Sequence, residues 1–474
     1  MINQLTITIF ASIILAILLI TVVIFKIKKI IPKKISVDLL VTNGTVLTMN
    51  KQKEIIPNGA VAIRDENIIE VGTVKTLHQK YTAKQVINTH GNVIMPGIIN
   101  AHTHTPMTLF RGLADDLSLK GWIQKYIFPL EKKYIKPDFV YWGTKLACYE
   151  MIKGGTTTFV NMYFFENFVA QAAYDIGMRA IVGQTIMGHP TPDSSTYKEA
   201  LEHAQALVKK WKNNPLITPA IAPHAPYSCS KEILLASKNF SEKYNTPLII
   251  HISETKQEVE KIKKQHNMRS VIYLDSLGML NEKMIAAHCV HINNREIELL
   301  AEKKVGIVHC PVSNMKLSSG IAPIYDLLKQ GALVGLGTDG AASNNSLDMF
   351  GEMKTATLLQ KVATENPQTL NAYQTLELAT IGGARAIHME DKIGSLEAGK
   401  KADIITVAIN KIHQIPVYNI ISQLVYASKA TDVQTVIING KLIMKDRNIG
   451  TKAEQKELRK KVEQFRKAIA KEEN

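Results

Sequence analysis

Two histidines one residue apart, His102 and His104, follow the apolar run Val93–Ile99. On a strand, positions i and i+2 point the same way, so the two imidazoles would stand side by side where the strand ends. So placed, they can hold one Zn²⁺-type ion at ~2.0–2.1 Å each. Further polar residues close later apolar runs: His224 after Ile217–Pro223, His251 and Glu254 around Pro247–Ser253, His288 within Met284–Cys289, and Asp339 at the end of Leu333–Asp339. Any one of them could be a satisfied polar group at a strand end. Five histidines and an aspartate converging on one face point instead to a metal site.

Chemistry assigns the roles. His102, His104, His251 and Asp339 supply the three or four N/O ligands of a catalytic site that leaves a place for water. The expected cofactor is one divalent ion, Zn²⁺ ahead of Fe²⁺. Such an ion lowers the pKa of water from 15.7 toward ~7. Asp339 can also take a proton from that water. Glu254 is placed to shuttle a proton to the leaving group. His288 would orient the water or polarise the substrate, and His291 is a weaker rival for that task. No lysine stands at a strand end to bridge two metals, which favours one ion.

Eight strand candidates carry these residues: Ile98–His104, Thr156–Asn161, Ala180–Gln184, Ile217–Pro223, Pro247–Ser253, Met284–Cys289, Val305–His309 and Leu333–Asp339. Helical patterns lie between them, among them Pro137–Lys153, Tyr197–Lys212, Lys231–Tyr244 and Gln257–Lys264. Eight β/α units fit an α/β fold of the TIM-barrel type, whose active sites gather at the C-terminal ends of the strands. A doubly wound sheet would give no reason for chemistry at so many strand ends. Short β segments precede and follow, with hairpin signals at Asn43-Gly44 and Asn439-Gly440. The two flanks are expected to form one composite β-sandwich side domain. The division reads 1–35 anchor and basic juxtamembrane segment, 36–95 first sandwich part, 96–390 barrel, 391–446 second sandwich part and 447–474 C-terminal helix.

Leu5–Phe25 runs 21 residues without a charge. That is enough to cross ~30 Å of hydrocarbon as a helix. Lys26, Lys28, Lys29, Lys33 and Lys34 follow it, and the positive-inside rule puts that end in the cytoplasm. No basic n-region or small-residue cleavage site marks it as a signal peptide. The expectation is a single-pass membrane protein with a cytoplasmic catalytic body. The net charge of +15 then reads as membrane-proximal basicity rather than nucleic-acid binding. The tail Lys452–Asn474 carries eight Lys/Arg against five Glu in an amphipathic pattern. Four cysteines without Cys-x-x-Cys spacing argue against a disulfide framework.

The motifs resemble the amidohydrolase superfamily, in particular the branch of methylthioadenosine/S-adenosylhomocysteine deaminases and triazine hydrolases. The likeness rests on Pro96–His104, Met107–Asp116, Phe128–Glu131, Pro223–Cys229, His251–Glu254, Ala287–Cys289, His309–Leu317 and Gly337–Asp339. It implies a TIM barrel with a β-sandwich side domain and a divalent metal. It also implies a substrate role for Glu131 on ribose hydroxyls and for His224, with Arg179, Glu254 and Asp339 at the substrate too. Gln184 stands near a position where the branch often carries arginine. The expected substrate is an adenosine-like nucleoside losing ammonia. Alternatives are another C–N or C–Cl bond of a triazine, guanine or cytosine type ring, or a membrane-tethered binding protein without catalysis. A homo-oligomer is compatible with this family.

Overall fold

A computed structural model describes residues 3–30 and 34–472. Five strands precede the barrel: β1 (Ile35–Leu47), β2 (Ile55–Arg64), β3 (Asn67–Thr73), β4 (Tyr81–Asn88) and β5 (Val93–Pro96). The barrel strands are β6 (Ile98–Thr103), β7 (Thr156–Tyr163), β8 (Arg179–Ile186), β9 (Ile217–Pro223), β10 (Leu248–Ile252), β11 (Met284–His288), β12 (Gly306–His309) and β13 (Leu333–Leu336). Then come β14 (Ile404–Val407), β15 (Val433–Ile438), β16 (Lys441–Lys445) and β17 (Asn448–Ile449).

All eight barrel strands pair in parallel and in chain order. The seam between β6 and β13 is bridged by polar groups. The Asp339 N–H donates to the His102 carbonyl at 3.0 Å, and the Asn100 side chain holds Thr338 N–H at 3.0 Å and Oγ1 at 2.8 Å. The barrel is thus nearly closed. Its interior packs Ile99, Val160, Ile181, Ala222, Ile249 and Val308. The face that carries Ala222 and Ile249 delivers His224 and His251 two residues later, as strand periodicity requires.

The flanks join in one continuous nine-stranded sheet, not in separately bonded sandwich layers. Leu39, Val61, Ile63, Ile94, Ile404 and Ile437 share one buried cluster across the two flanks. Asn43-Gly44 is not a hairpin. β1 runs straight through it as a bulge, with Asn43 at φ 62°. A Cβ on Gly44 would lie 2.4 Å from the Asn92 carbonyl. The bulge is where β1 exchanges one neighbour, β4, which pairs up to Thr42, for another, β5, which pairs from Thr45. The second signal does form a hairpin, between β15 and β16, with Asn439 and Gly440 at φ 51° and 75°. At Gly97 the chain crosses from sheet to barrel so tightly that a Cβ would sit 2.0 Å from Thr157 Oγ1.

A helix spans Gln4–Ile30, and its apolar window Gln4–Val23 has a mean hydropathy of 2.8 with none of it buried against the body. It is a candidate membrane span by length and composition. Lys33 lies outside the described residues. At the other end, the helix Lys452–Ile469 buries Leu458 and Ile469 and sets Phe465 edge-on to Phe139 at 5.3 Å.

Candidate active site

The histidines cluster as the strand ends imply. Ligand atoms of His102, His104 and His251 all lie within 4.8 Å of one another. His104 Nδ1 meets the Met162 carbonyl at 2.6 Å and His251 Nδ1 meets the His224 carbonyl at 2.7 Å. A carbonyl only accepts, so each Nδ1 carries the proton and each Nε2 presents a lone pair. Those two Nε2 atoms face each other at 3.4 Å, with no proton for either to accept. Both ring nitrogens of His102, wholly buried, are also without a partner. Asp339 Oδ1 stands 3.3 Å from His104 Nε2 and 3.6 Å from His102 Nε2. Unpaired lone pairs so close together need a cation between them. The donor set of imidazoles and one carboxylate is that of a catalytic zinc site. Burial drops the His102 pKa to about 4 and also lowers that of His251, so both are neutral and fit to ligate.

Surrounding groups orient these donors. Asp339 Oδ2 accepts from Ser313 Oγ at 2.6 Å and Ser343 Oγ at 3.1 Å, and Oδ1 accepts from the Gly340 N–H at 2.7 Å. Burial would raise the Asp339 carboxyl, but His102 and His104 beside it hold it well below the usual range. His288 Nδ1 bonds Asn314 Oδ1 at 2.9 Å, and its Nε2 lies 3.8 Å from Glu254 Oε2. Burial raises the Glu254 carboxyl, opposed by His288. Ser253, His288, Cys289 and Asp339 all take positive φ, at 53°, 74°, 46° and 62°. Such backbone costs ~1–3 kcal/mol per residue and gathers at functional sites, where it re-aims side chains at strand ends.

These groups open on a cavity lined by His104, Glu131, His224, His251, Glu254, His288 and Asp339 among others. Glu131 arrives from the segment after β6, which runs as a helix Leu119–Trp122, one π turn Ile123–Ile127 and a helix Phe128–Tyr134. Tyr163 OH donates to Glu131 Oε1 at 2.6 Å, and burial lifts the Glu131 carboxyl to about 7. His224 Nδ1 pairs with Ser228 Oγ at 2.8 Å, and burial takes its pKa down to about 3.

Three expectations meet a different geometry. Arg179 opens β8, whereas the cavity lies at the opposite end of the strands. Its guanidinium is buried on Asp403 of the side sheet at 2.7 and 3.1 Å, with further bonds to the Pro215 carbonyl and Asn439. Arg179 is therefore a structural tie, not a substrate contact. Gln184 turns to Asp193 at 2.9 Å, and its neighbour Thr185 lines the cavity. His291 does not replace His288: its Nε2 meets the Ser319 carbonyl at 2.6 Å. Ser313, Ser343, Asn314, Tyr163 and Glu258 had no role in the sequence reading. Glu258 accepts the N–H groups of Ser253 and Glu254, both at 2.8 Å. Ser313 and Asn314 lie within the motif His309–Leu317, which is their one signal in the sequence.

Known proteins resemble this chain over nearly its whole length. The model of the amidohydrolase family matches residues 93–443. A 5-methylthioadenosine/S-adenosylhomocysteine deaminase of Syntrophobacter fumaroxidans is 48% identical over 414 residues, 87% of this chain and 94% of the relative. The crystal structure of an adenosine deaminase from Xanthomonas campestris with bound zinc superposes with a TM-score of 0.91 at 37% identity, over 93% of this chain and all of that one. A triazine hydrolase of Arthrobacter aurescens shares the fold, with a TM-score of 0.84 at 21% identity over 90% of this chain and 99% of its own.

Proposed function

We propose a reaction from the premise that this chain belongs to the amidohydrolase family: hydrolytic deamination of an adenosine-like nucleoside. One water is consumed, a ring C–O bond forms, the exocyclic C–N bond breaks, and ammonia leaves with an inosine-type product. The observation that carries the reading is one cavity lined jointly by the metal-ligating cluster, Glu254 and Glu131. His102, His104, His251 and Asp339 would hold the divalent ion, zinc by the donor set and by the zinc-bearing deaminase of the same fold. When bound, that ion supplies Lewis acidity that brings the pKa of water from 15.7 toward ~7.

The rest falls to the chain's own side chains. Glu254, its carboxyl raised by burial, carries a proton from the water side to the ring nitrogen and then to the departing amine. Asp339 Oδ1 takes up a proton where the attack occurs. His288, its Nδ1 fixed on Asn314, turns Nε2 to the same place. Glu131 accepts two ribose hydroxyls, one on each oxygen, an arrangement that an amide with a single acceptor oxygen cannot copy. A ring without a sugar would leave that buried carboxylate with the Tyr163 hydroxyl but without the two ribose donors, which disfavours the triazine, guanine and cytosine alternatives. Intact ligands and an intact Glu254 disfavour a non-catalytic binding role. The test is ammonia release from methylthioadenosine by the zinc-loaded protein. Glu254→Gln should lower kcat by ~10²–10⁴-fold, the usual worth of a general acid–base group. Equal rates in the variant would sink the assignment.

We also propose that Leu5–Phe25 is a membrane anchor with the enzyme on the cytoplasmic side. Support comes from its apolar, unburied surface and the lysines that follow. The protein should then resist alkaline carbonate extraction of membranes. Release into the soluble fraction by carbonate overturns it.

A further inference from the structure

The cavity is lined by two chemically different groups of residues. One holds the metal-ligating cluster with Glu131, Glu254 and Asp339. The other is a wall of Leu119, Trp122, Ile123, Ile127, Phe128 and Leu317. Five of these six come from one continuous segment, which contains a π turn. Within it the Phe128 N–H reaches back five residues to the Ile123 carbonyl. Ile127 stands four residues after Ile123, so the two share a face, and Trp122 and Phe128 beside them also line the cavity. Glu131 follows three residues after Phe128 and four after Ile127, so it shares their face at ~5–6 Å. A nucleoside whose hydroxyls sit on Glu131 thus has its 5′ carbon beside the apolar wall.

Charge decides what that wall accepts. Among the described side chains lining the cavity there is no lysine or arginine, and those of fixed charge sign are the three acids. Both charges of an amino-acid 5′ substituent set against the apolar wall would lose water and meet no partner of opposite sign among its six residues. A thioether, methyl or plain hydrogen gains burial instead.

We infer that the cavity selects nucleosides with an uncharged, apolar 5′ substituent and discriminates against a zwitterionic amino-acid substituent. This rests on the deaminase reading and narrows it. The test compares kcat/KM for methylthioadenosine, 5′-deoxyadenosine and S-adenosylhomocysteine on the full zinc-loaded chain. The first two should exceed the third by on the order of 10²-fold, the scale at which an unpaired polar group is rejected. Phe128→Arg, at a residue 40% exposed on the cavity rim, should narrow that ratio by supplying a cation. S-adenosylhomocysteine turned over as well as methylthioadenosine overturns the inference but leaves the deaminase reading standing. No ammonia from any of the three defeats the deaminase reading. Calorimetric binding of the same compounds to Glu254→Gln then decides the 5′ preference by itself: tighter methylthioadenosine supports it, while equal affinity or no binding overturns it.

Discussion

Asp339 depends on two hydroxyls. Ser313 and Ser343 share its Oδ2, which leaves Oδ1 aimed at the imidazoles. Losing such an outer partner costs ~10–100-fold in metal affinity. Ser313→Ala should show that loss in a chelator competition with zinc, with the fold unchanged by circular dichroism. Glu131 gives a pH prediction. Its carboxyl titrates at about 7 because it is buried, and the ionised form is the better acceptor, with both oxygens free of a proton. KM should therefore rise as pH falls below about 7, and Glu131→Gln should lose that dependence along with its affinity. The ligands were legible in the sequence because each follows a short apolar run that can only be a buried strand. Their supports were not: Ser313, Ser343 and Asn314 act through a loop whose path depends on the finished barrel. Arg179 takes a substrate role from the family resemblance alone, and its place in the chain argues otherwise. It precedes the apolar run Ala180–Val182, and a residue before a barrel strand belongs to the face away from the chemistry.

At the scale of elements, Glu254 is held by three of them. His291, after β11, donates its N–H to the Ser253 carbonyl at 2.8 Å and meets the Ser319 carbonyl through Nε2. Ser319 Oγ in turn reaches Glu254 Oε1 at 3.4 Å. This brace spans the loops after β10, β11 and β12. His291→Ala should lower kcat about tenfold with little change in KM, the signature of a slightly misplaced proton carrier. His291→Gln, whose amide can still donate to Ser319, should recover most of it, whereas a merely structural role predicts no such rescue. All eight barrel strands could be read from periodicity. The bulge at Asn43-Gly44 could not, because the same dipeptide serves a hairpin or a partner exchange. Tertiary pairing with β4 and β5 decides which.

Across the whole molecule, Arg179 and Asp403 couple barrel to sheet. Both side chains are 3% exposed, so removing one strands a buried charge at a cost of ~3–5 kcal/mol. Arg179→Ala should lower Tm markedly while leaving the KM of the folded fraction unchanged. A raised KM with unchanged Tm would restore the residue to the substrate site.

The strand exchange in β1 bears on the order in which this chain can fold. β5 takes its other neighbour from β14, where Met95 pairs with Ile405, roughly 300 residues later in synthesis. At ~5–20 residues per second the ribosome needs about 15 s to a minute to deliver that partner. Until then the growing chain exposes an open apolar edge at β5, the kind that recruits other chains. The finished sheet thus makes completion of the barrel a condition for closing the first strands translated, and nascent chains stopped before β14 are the form most exposed to aggregation.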